Sequence, residues 1–245
     1  KDISLLANEF SDLVLVKNKS NAGFAKANNQ GIEKASGEYI VLLNSDTELI
    51  NDAFSICQKV LDCERSVGVV TAQLQYPNHN IQHNCQSFPR LSNEFFEITR
   101  LHKVLSKKSL AQRFLSAFFD HTYSIYTDWV WGTFFMFRKE DLARLEEGHL
   151  SERFFMYGED MEWCYQFREA GLACYYESEA KVIHHVGASG FGNEEERSNT
   201  IIRNELLFIK KYRGSAFLFV FRILRNIKYY LLSLKDTSYR KIARA

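Results

Sequence analysis

Tyr39-Ile40-Val41-Leu42-Leu43 is a run of five apolar residues that stops abruptly in Asn44-Ser45-Asp46-Thr47. Five residues are too few for a helix, and the run is rich in strand formers. It therefore reads as a parallel strand buried on both faces. In an open α/β sheet, ligands bind just beyond the carboxyl ends of the strands. A carboxylate at Asp46 stands where a metal ion and a phosphate would meet. The same residues also suit a plain strand-to-helix turn, with Asp46 or Thr47 capping a helix that starts near Asn51.

The flanking segments extend this reading. Leu13-Val14-Leu15-Val16 is predicted to be a buried strand, and Phe24, Ala27, Gly31, Ile32 and Ala35 form a helical stripe. Strand, helix and strand would make a βαβ unit and an at least partly parallel sheet. In the link, Gly23 allows a tight turn into a helix whose free N–H groups can meet a phosphate or a carbonyl. Asn28 and Asn29 sit early in that helix, where amides cost propensity unless they bind something. The alternative is a glycine turn with solvated amides.

Further on, Ala53 to Leu61 reads as a helix, Val67 to Ala72 as a strand, and Tyr76 to Asn80 as a turn into a short strand near Ile81. A helical pattern runs from Ser92 to Phe119, and a single apolar strand from Asp128 to Arg138, with Gly132 near its start. Trp129 and Trp131 there suit either the core or sugar stacking. After Gly158, the spacing of Trp163, Cys164, Phe167 and Ala170 marks a helix ending at Gly171. Asp160 falls on its inward side, as a cap or as a general base in a partly desolvated cleft. Glu159, Asp160 and Glu162 are more acids than capping needs. His184 and His185 end a short strand, and a neutral imidazole there is a good ligand for Mn²⁺ or Zn²⁺ beside Asp46.

Charge divides the chain. Residues 210–245 carry ten Lys/Arg against Asp236 alone, so a net charge of +1 is an acidic body with a basic tail. Within that tail, residues 217–234 read as an amphipathic helix, with Arg222, Arg225 and Lys228 on one side. That is the pattern of a segment lying on an anionic membrane, or of a C-terminal helix packed on the domain with snorkelling cations. Five cysteines without CxxC spacing argue against a disulfide framework or a zinc knuckle and fit a reducing, cytoplasmic setting. No uncharged apolar run is long enough to span a bilayer, and no nucleic-acid partner is expected.

Taken in order, the motifs from about Leu13 to Ser189 resemble those of the family 2 inverting glycosyltransferases, and most closely their bacterial rhamnosyltransferase-like branch. Asn21-x-Gly23-Phe24 through Asn29-x-Gly31 is similar to the family's nucleotide-proximal segment, and Asn44-Ser45-Asp46-Thr47 to its DxD-type motif. Trp131-Gly132 and Arg138 resemble the strand before the acceptor site. Phe154 to Asp160 resembles the catalytic ED motif, and His184-x-x-Gly187-x-Ser189 the late histidine. The resemblance implies an α/β fold of the GT-A type, a Rossmann-like, mostly parallel sheet flanked by helices. Residues 1–192 would form the catalytic domain and 193–245 a helical C-terminal extension.

It further implies a dTDP- or UDP-sugar donor, whose diphosphate is bridged by Mg²⁺ or Mn²⁺ on Asp46 and His184. Asn21, Gly23, Phe24, Asn29, Asn44, Ser45, Trp131 and Gly132 would line the donor site. Asp160 would be the base, with Glu159 orienting the acceptor or supporting Asp160. A lipid-linked or polysaccharide acceptor of a bacterial surface glycan would be glycosylated at the inner face of the cytoplasmic membrane, with rhamnose the preferred sugar. The family also opens with a strand–helix–strand that holds base and ribose, and that unit, on the order of 30 residues, is expected to be missing here. Leu150-Ser151-Glu152 departs from the family's Phe-Asp-Glu. Two other expectations compete: a non-catalytic remnant that binds sugar or nucleotide, and a metal-dependent hydrolase using Asp46, Asp160 and His184.

Overall fold

The computed structural model describes residues 9–99, 119–186 and 194–234. In chain order its elements are α1 (Phe24–Lys34), β1 (Tyr39–Leu43), β2 (Thr47–Leu49), α2 (Ala53–Cys63), β3 (Val67–Gln75), β4 (Ile81–Gln82), β5 (Cys85–Gln86) and α3 (Leu91–Thr99). There follow β6 (Ile125–Thr127), β7 (Trp129–Val130), β8 (Phe134–Arg138), a 3₁₀ turn (Lys139–Arg144), α4 (Glu159–Glu169), β9 (Ala173–His184) and α5 (Glu194–Ser233).

The centre is β3, buried along its whole length. A strand covered on both faces needs a near-continuous apolar run, and Val67 to Ala72 supplies most of it. Its polar members are satisfied: Thr71 Oγ1 donates to Phe134 O (2.7 Å) and Gln73 Nε2 to His121 O (2.9 Å). The main sheet has the order β1-β8-β3-β9-β2, with β4 on β3 and β6 on β9. Helices α1, α4 and α5 cover one face, where Ala25, Trp163, Phe167 and Phe208 pack with Val69, Phe135 and Phe137. Helix α2 covers the other, where Cys57 and Leu61 meet Val70, Leu74 and Met136. Helices on both faces of one sheet make an α/β fold.

The sheet is mixed rather than mostly parallel. Among the described residues only β3 and β9 pair in parallel, while β8 lies antiparallel between β1 and β3. Strands β1, β3 and β9 nevertheless point the same way, so their carboxyl ends share one edge of the sheet. That edge is what the site requires.

Several expectations need correction. Leu13 to Val16 form no strand, and Leu13, Val14 and Val16 are exposed. A strand exists only with a hydrogen-bonding partner, and among the described residues β1 pairs with β8 alone. The βαβ unit is therefore not formed, and β1 is antiparallel and covered alternately, with Ile40 and Leu42 in the core and Leu43 exposed. The cap of α2 is Asp52, whose Oδ1 accepts from Ser55 N (3.1 Å), whereas Thr47 opens β2. The strand expected over 128–138 splits into β7 and β8 around Trp131 to Thr133, because β7 pairs with β5 in a separate two-stranded sheet while β8 enters the main sheet between β1 and β3. Of the helix expected over 92–119, only α3 and Phe119 fall within the described residues, and Gly187 and Ser189 lie outside them. The turn at Tyr76–Asn80, the strand β4 and the helix ending at Gly171 form as expected. No helix among the described residues is long and apolar enough to cross a membrane.

Candidate active site

Where β1 ends, the chain makes a tight turn through Asn44-Ser45-Asp46 and pairs back as β2 on β9, with Thr47 opposite His184. Two backbone bonds pin the turn: Asn44 N donates to Thr133 O (3.0 Å) and His185 N to Asp46 O (2.9 Å). This register brings Asp46 Oδ1 to 3.5 Å from His184 Nε2. Ser45 stays exposed at the tip.

The imidazole is fixed from behind. Gln82 Nε2 donates to His184 O (2.7 Å), so its Oε1 accepts from His184 Nδ1–H (2.9 Å). That tautomer leaves Nε2 with a lone pair aimed at Asp46. Burial pushes the His184 pKa down, against the pull of Asp46, so the ring is neutral. The Nε2 lone pair and the Asp46 carboxylate thus face each other, an arrangement that suits a cation. Among the described residues no three His, Cys, Asp or Glu side chains converge as a metal cage. A cation that takes one carboxylate, one imidazole and the phosphates of a substrate does not need one.

The second half of the site is the start of α4. Tyr157 and Gly158 both adopt positive φ (65° and 109°) and turn the chain sharply into Glu159. Asp160, half-buried, accepts from Met161 N at Oδ1 (2.9 Å) and from Gly132 N at Oδ2 (3.3 Å). Burial raises its pKa above the ordinary aspartate range, while these N–H donors oppose the rise. Glu159 is deeper, with Oε2 buried and without a hydrogen-bond partner. Burial and the neighbouring Asp160 hold it well above the usual carboxylate range, so it keeps its proton. The third acid, Glu162, is fully buried and structural: Oε1 accepts from Lys211 (2.9 Å) and Tyr212 (2.7 Å) and pairs with Arg153 (3.1 Å).

Residues 132 and 133 bind the two halves together, since Gly132 holds Asp160 and Thr133 holds Asn44. The Asn21–Phe24 turn joins from a third side. Phe24 N, the first free donor of α1, donates to Phe155 O (3.0 Å), so the carbonyl rather than a phosphate meets it. Asn21 Oδ1 accepts from Gly23 N (3.0 Å) and shapes that turn. Gly23 has φ 85°, and a Cβ there would lie 2.8 Å from Phe155 O, so only glycine fits. Trp131 is half-buried, packed towards α2.

Two residues of the family-like motifs are engaged by internal partners. Asn29 is buried, and its Nδ2 donates to Leu150 O (2.7 Å) and Glu152 Oε1 (3.0 Å), which ties α1 to that loop. Arg138 is buried at the opposite end of β8, beside a cavity of about 560 Å³ lined by Gly37, Tyr39, Arg65 and Lys139. Asn28 donates to Phe24 O within its own helix.

Two residues on α5 were missed. Arg197 lies over the Tyr157 ring at 5.5 Å and is close enough to His184 to lower its pKa. Asn204 is buried, and its Nδ2 donates to Met156 O (3.0 Å) and to Tyr157 O, clamping the turn that aims Asp160. Nothing in the sequence sets it apart from the other amides of this helix, Asn199 and Asn226. Asn204→Ala should lower kcat about tenfold with little change in KM, because a misplaced base costs rate rather than binding. It should also move the acid limb of the pH–rate profile upwards, as the Gly132 bond to Asp160 loosens. A fall in melting temperature with both kinetic readouts unchanged would make the clamp purely structural.

Residues 3–146 match the family model described as glycosyl transferase family 2, which is more than half of the chain. The matched span carries Asn21, Gly23, Asp46 and Gly132, while Asp160 and His184 lie beyond it. No curated protein matches the chain.

Proposed function

Since the chain belongs to glycosyl transferase family 2 and is a glycosyltransferase, we propose that it transfers a hexose or deoxyhexose, rhamnose by preference, with inversion. The donor is a dTDP- or UDP-sugar, and the acceptor is a lipid-linked or polysaccharide intermediate of a bacterial surface glycan, met at the cytoplasmic face of the membrane. The observation that carries this reading is the pair of backbone bonds from Gly132 and Thr133. They tie a carboxylate with a raised pKa, through adjacent residues, to the turn that carries the facing Asp46–His184 pair.

In this reading Asp160 removes the proton from an acceptor hydroxyl, whose oxygen attacks the anomeric carbon. The bond from that carbon to the diphosphate oxygen breaks, and the configuration inverts. One base suffices because no glycosyl-enzyme intermediate forms. Glu159, holding its proton, donates a hydrogen bond that orients the acceptor. Asp46 and His184 would hold Mg²⁺ or Mn²⁺, which when bound neutralises charge on the departing diphosphate. Arg197 adds a positive charge on the same side.

Labelled dTDP- and UDP-sugars, incubated with the protein and a lipid-linked acceptor fraction, test the reading. Label should move to the lipid phase, and the new linkage should have the opposite anomeric configuration to the donor. Free sugar as the main product would overturn transfer in favour of hydrolysis.

A further inference from the structure

Beyond Gly214 (φ 81°), where its two halves meet, α5 is docked on α3 by charge as well as by packing. Arg225 pairs with Glu94 (3.1 Å) and with Glu205, and Lys228 pairs with Glu94 (3.0 Å) and Glu97 (2.8 Å). Arg225 and Lys228 are only 14% and 13% exposed. Arg225 and Lys228 therefore point inwards and are spent on internal carboxylates, as in the packed alternative read from the sequence, while Arg222 stays exposed.

The outward face is apolar instead. Phe219, Ile223, Ile227, Tyr230, Leu231 and Leu234 are all exposed, Phe219 at 66% and Leu234 at 65%. At helical spacing they fall within a sector of about 120° and extend over about 22 Å. A contiguous apolar stripe of this kind on a soluble surface marks an interaction site. Its ends are basic. Lys210 and Arg213 are exposed before the kink, Arg222 is exposed beside the stripe, and Lys235, Arg240, Lys241 and Arg244 follow it in sequence with Asp236 as the sole acid.

We propose that this face of α5 lies on an anionic lipid surface, its apolar stripe at the boundary of headgroups and acyl chains and its flanking cations on the headgroups. Charge argues against a second copy of the chain as the occupant, because the sequence is basic both before and after the stripe and a copy would bring an excess of like charge with it. No described helix is long and apolar enough to cross a bilayer, so the helix lies on the surface. The contact rests on the proposed lipid-borne acceptor only for its purpose.

The test is sedimentation of the full chain with vesicles of phosphatidylcholine, alone or mixed with phosphatidylglycerol. Wild type should bind the mixed vesicles, bind the neutral ones less, and release with salt. The double variant Ile223→Asp/Ile227→Asp should lose about tenfold or more in partitioning. Both positions are 44% exposed, so the thermal unfolding should be unchanged. Should that variant fold poorly, Arg222→Glu provides a second arm, with weaker binding to anionic vesicles only. No binding of wild type to anionic vesicles would overturn the proposal. So would binding that ignores these substitutions, or a wild-type dimer that Ile223→Asp/Ile227→Asp makes monomeric. Nucleotide binding and transfer to a soluble acceptor are read separately, so failure of the lipid contact is distinct from failure of the transferase reading.

Discussion

Asp160→Asn is expected to abolish transfer, with a loss on the order of 10³-fold or more in kcat, while the nucleotide sugar still binds. Asparagine keeps the shape but has one acceptor oxygen where Asp160 uses two, so it can keep the bond from Gly132 or the bond from Met161 but not both, and it cannot take a proton. The wild-type profile of kcat against pH should fall on the acid side, with a midpoint above the ordinary aspartate value of about 4. The sign follows from the role: the base must be ionised, and burial makes ionisation harder. The same physics predicts that the variant is not unfolded. A carboxyl whose pKa is higher folded than unfolded binds more protons on folding, so it opposes folding as pH rises through that interval. Removing its charge should leave the melting temperature at neutral pH unchanged or higher. Steady-state kinetics beside a thermal melt checks both, and a variant that keeps a tenth of wild-type kcat would remove Asp160 from the base role.

The largest effect on stability is expected at Arg138, far from the chemistry. Its guanidinium, 4% exposed, donates to Leu61 O (2.7 Å) and Val67 O and pairs with Asp141 at 3.0 Å, where the carboxylate is 5% exposed. It thereby ties the end of α2 and the start of β3 to the end of β8. Arg138→Met leaves two carbonyls and a buried carboxylate without this partner, since Arg144 reaches Asp141 only at 3.6 Å. A loss of about 3–5 kcal/mol is expected, a large part of the 5–15 kcal/mol typical of a domain. Adding Asp141→Leu should recover part of that loss, because replacing both partners by apolar groups is far less costly than removing one. Urea unfolding of the two single variants and the double measures this. A single-variant loss under about 1 kcal/mol would show that the guanidinium is not structural.

What sequence could and could not reveal follows one pattern. Asp46, Asp160 and His184 were legible because each stands where an apolar run stops, and the ends of elements are visible in hydrophobic period. The contacts of polar residues inside elements were not. Asn29 looked like a ligand because its partner, Leu150 O, is 121 residues away. Arg225 looked like a lipid anchor because Glu94 lies on another helix. Asn204 went unnoticed because nothing local says that it clamps Tyr157. Leu13 to Val16 erred the other way, since an apolar run names a strand only if some other strand bonds to it. Strand direction was half legible: the carboxyl ends of β1 and β9 do share an edge, but the antiparallel β8 between β1 and β3 has no local signature.

The most direct test of the central claim, that Asp46 and His184 form the donor half of one cleft with Asp160, is a thermal-shift panel on the full-length protein. Uridine, thymidine and guanosine diphosphates and their sugars are each measured with and without Mn²⁺, on wild type and on Asp46→Ala. A ligand held well above its Kd should stabilise the fold by a few kcal/mol. A shift with one nucleotide that needs Mn²⁺ and disappears in Asp46→Ala is the predicted result, and it would name the base. No shift with any nucleotide, or one that Asp46→Ala leaves intact, would contradict the account.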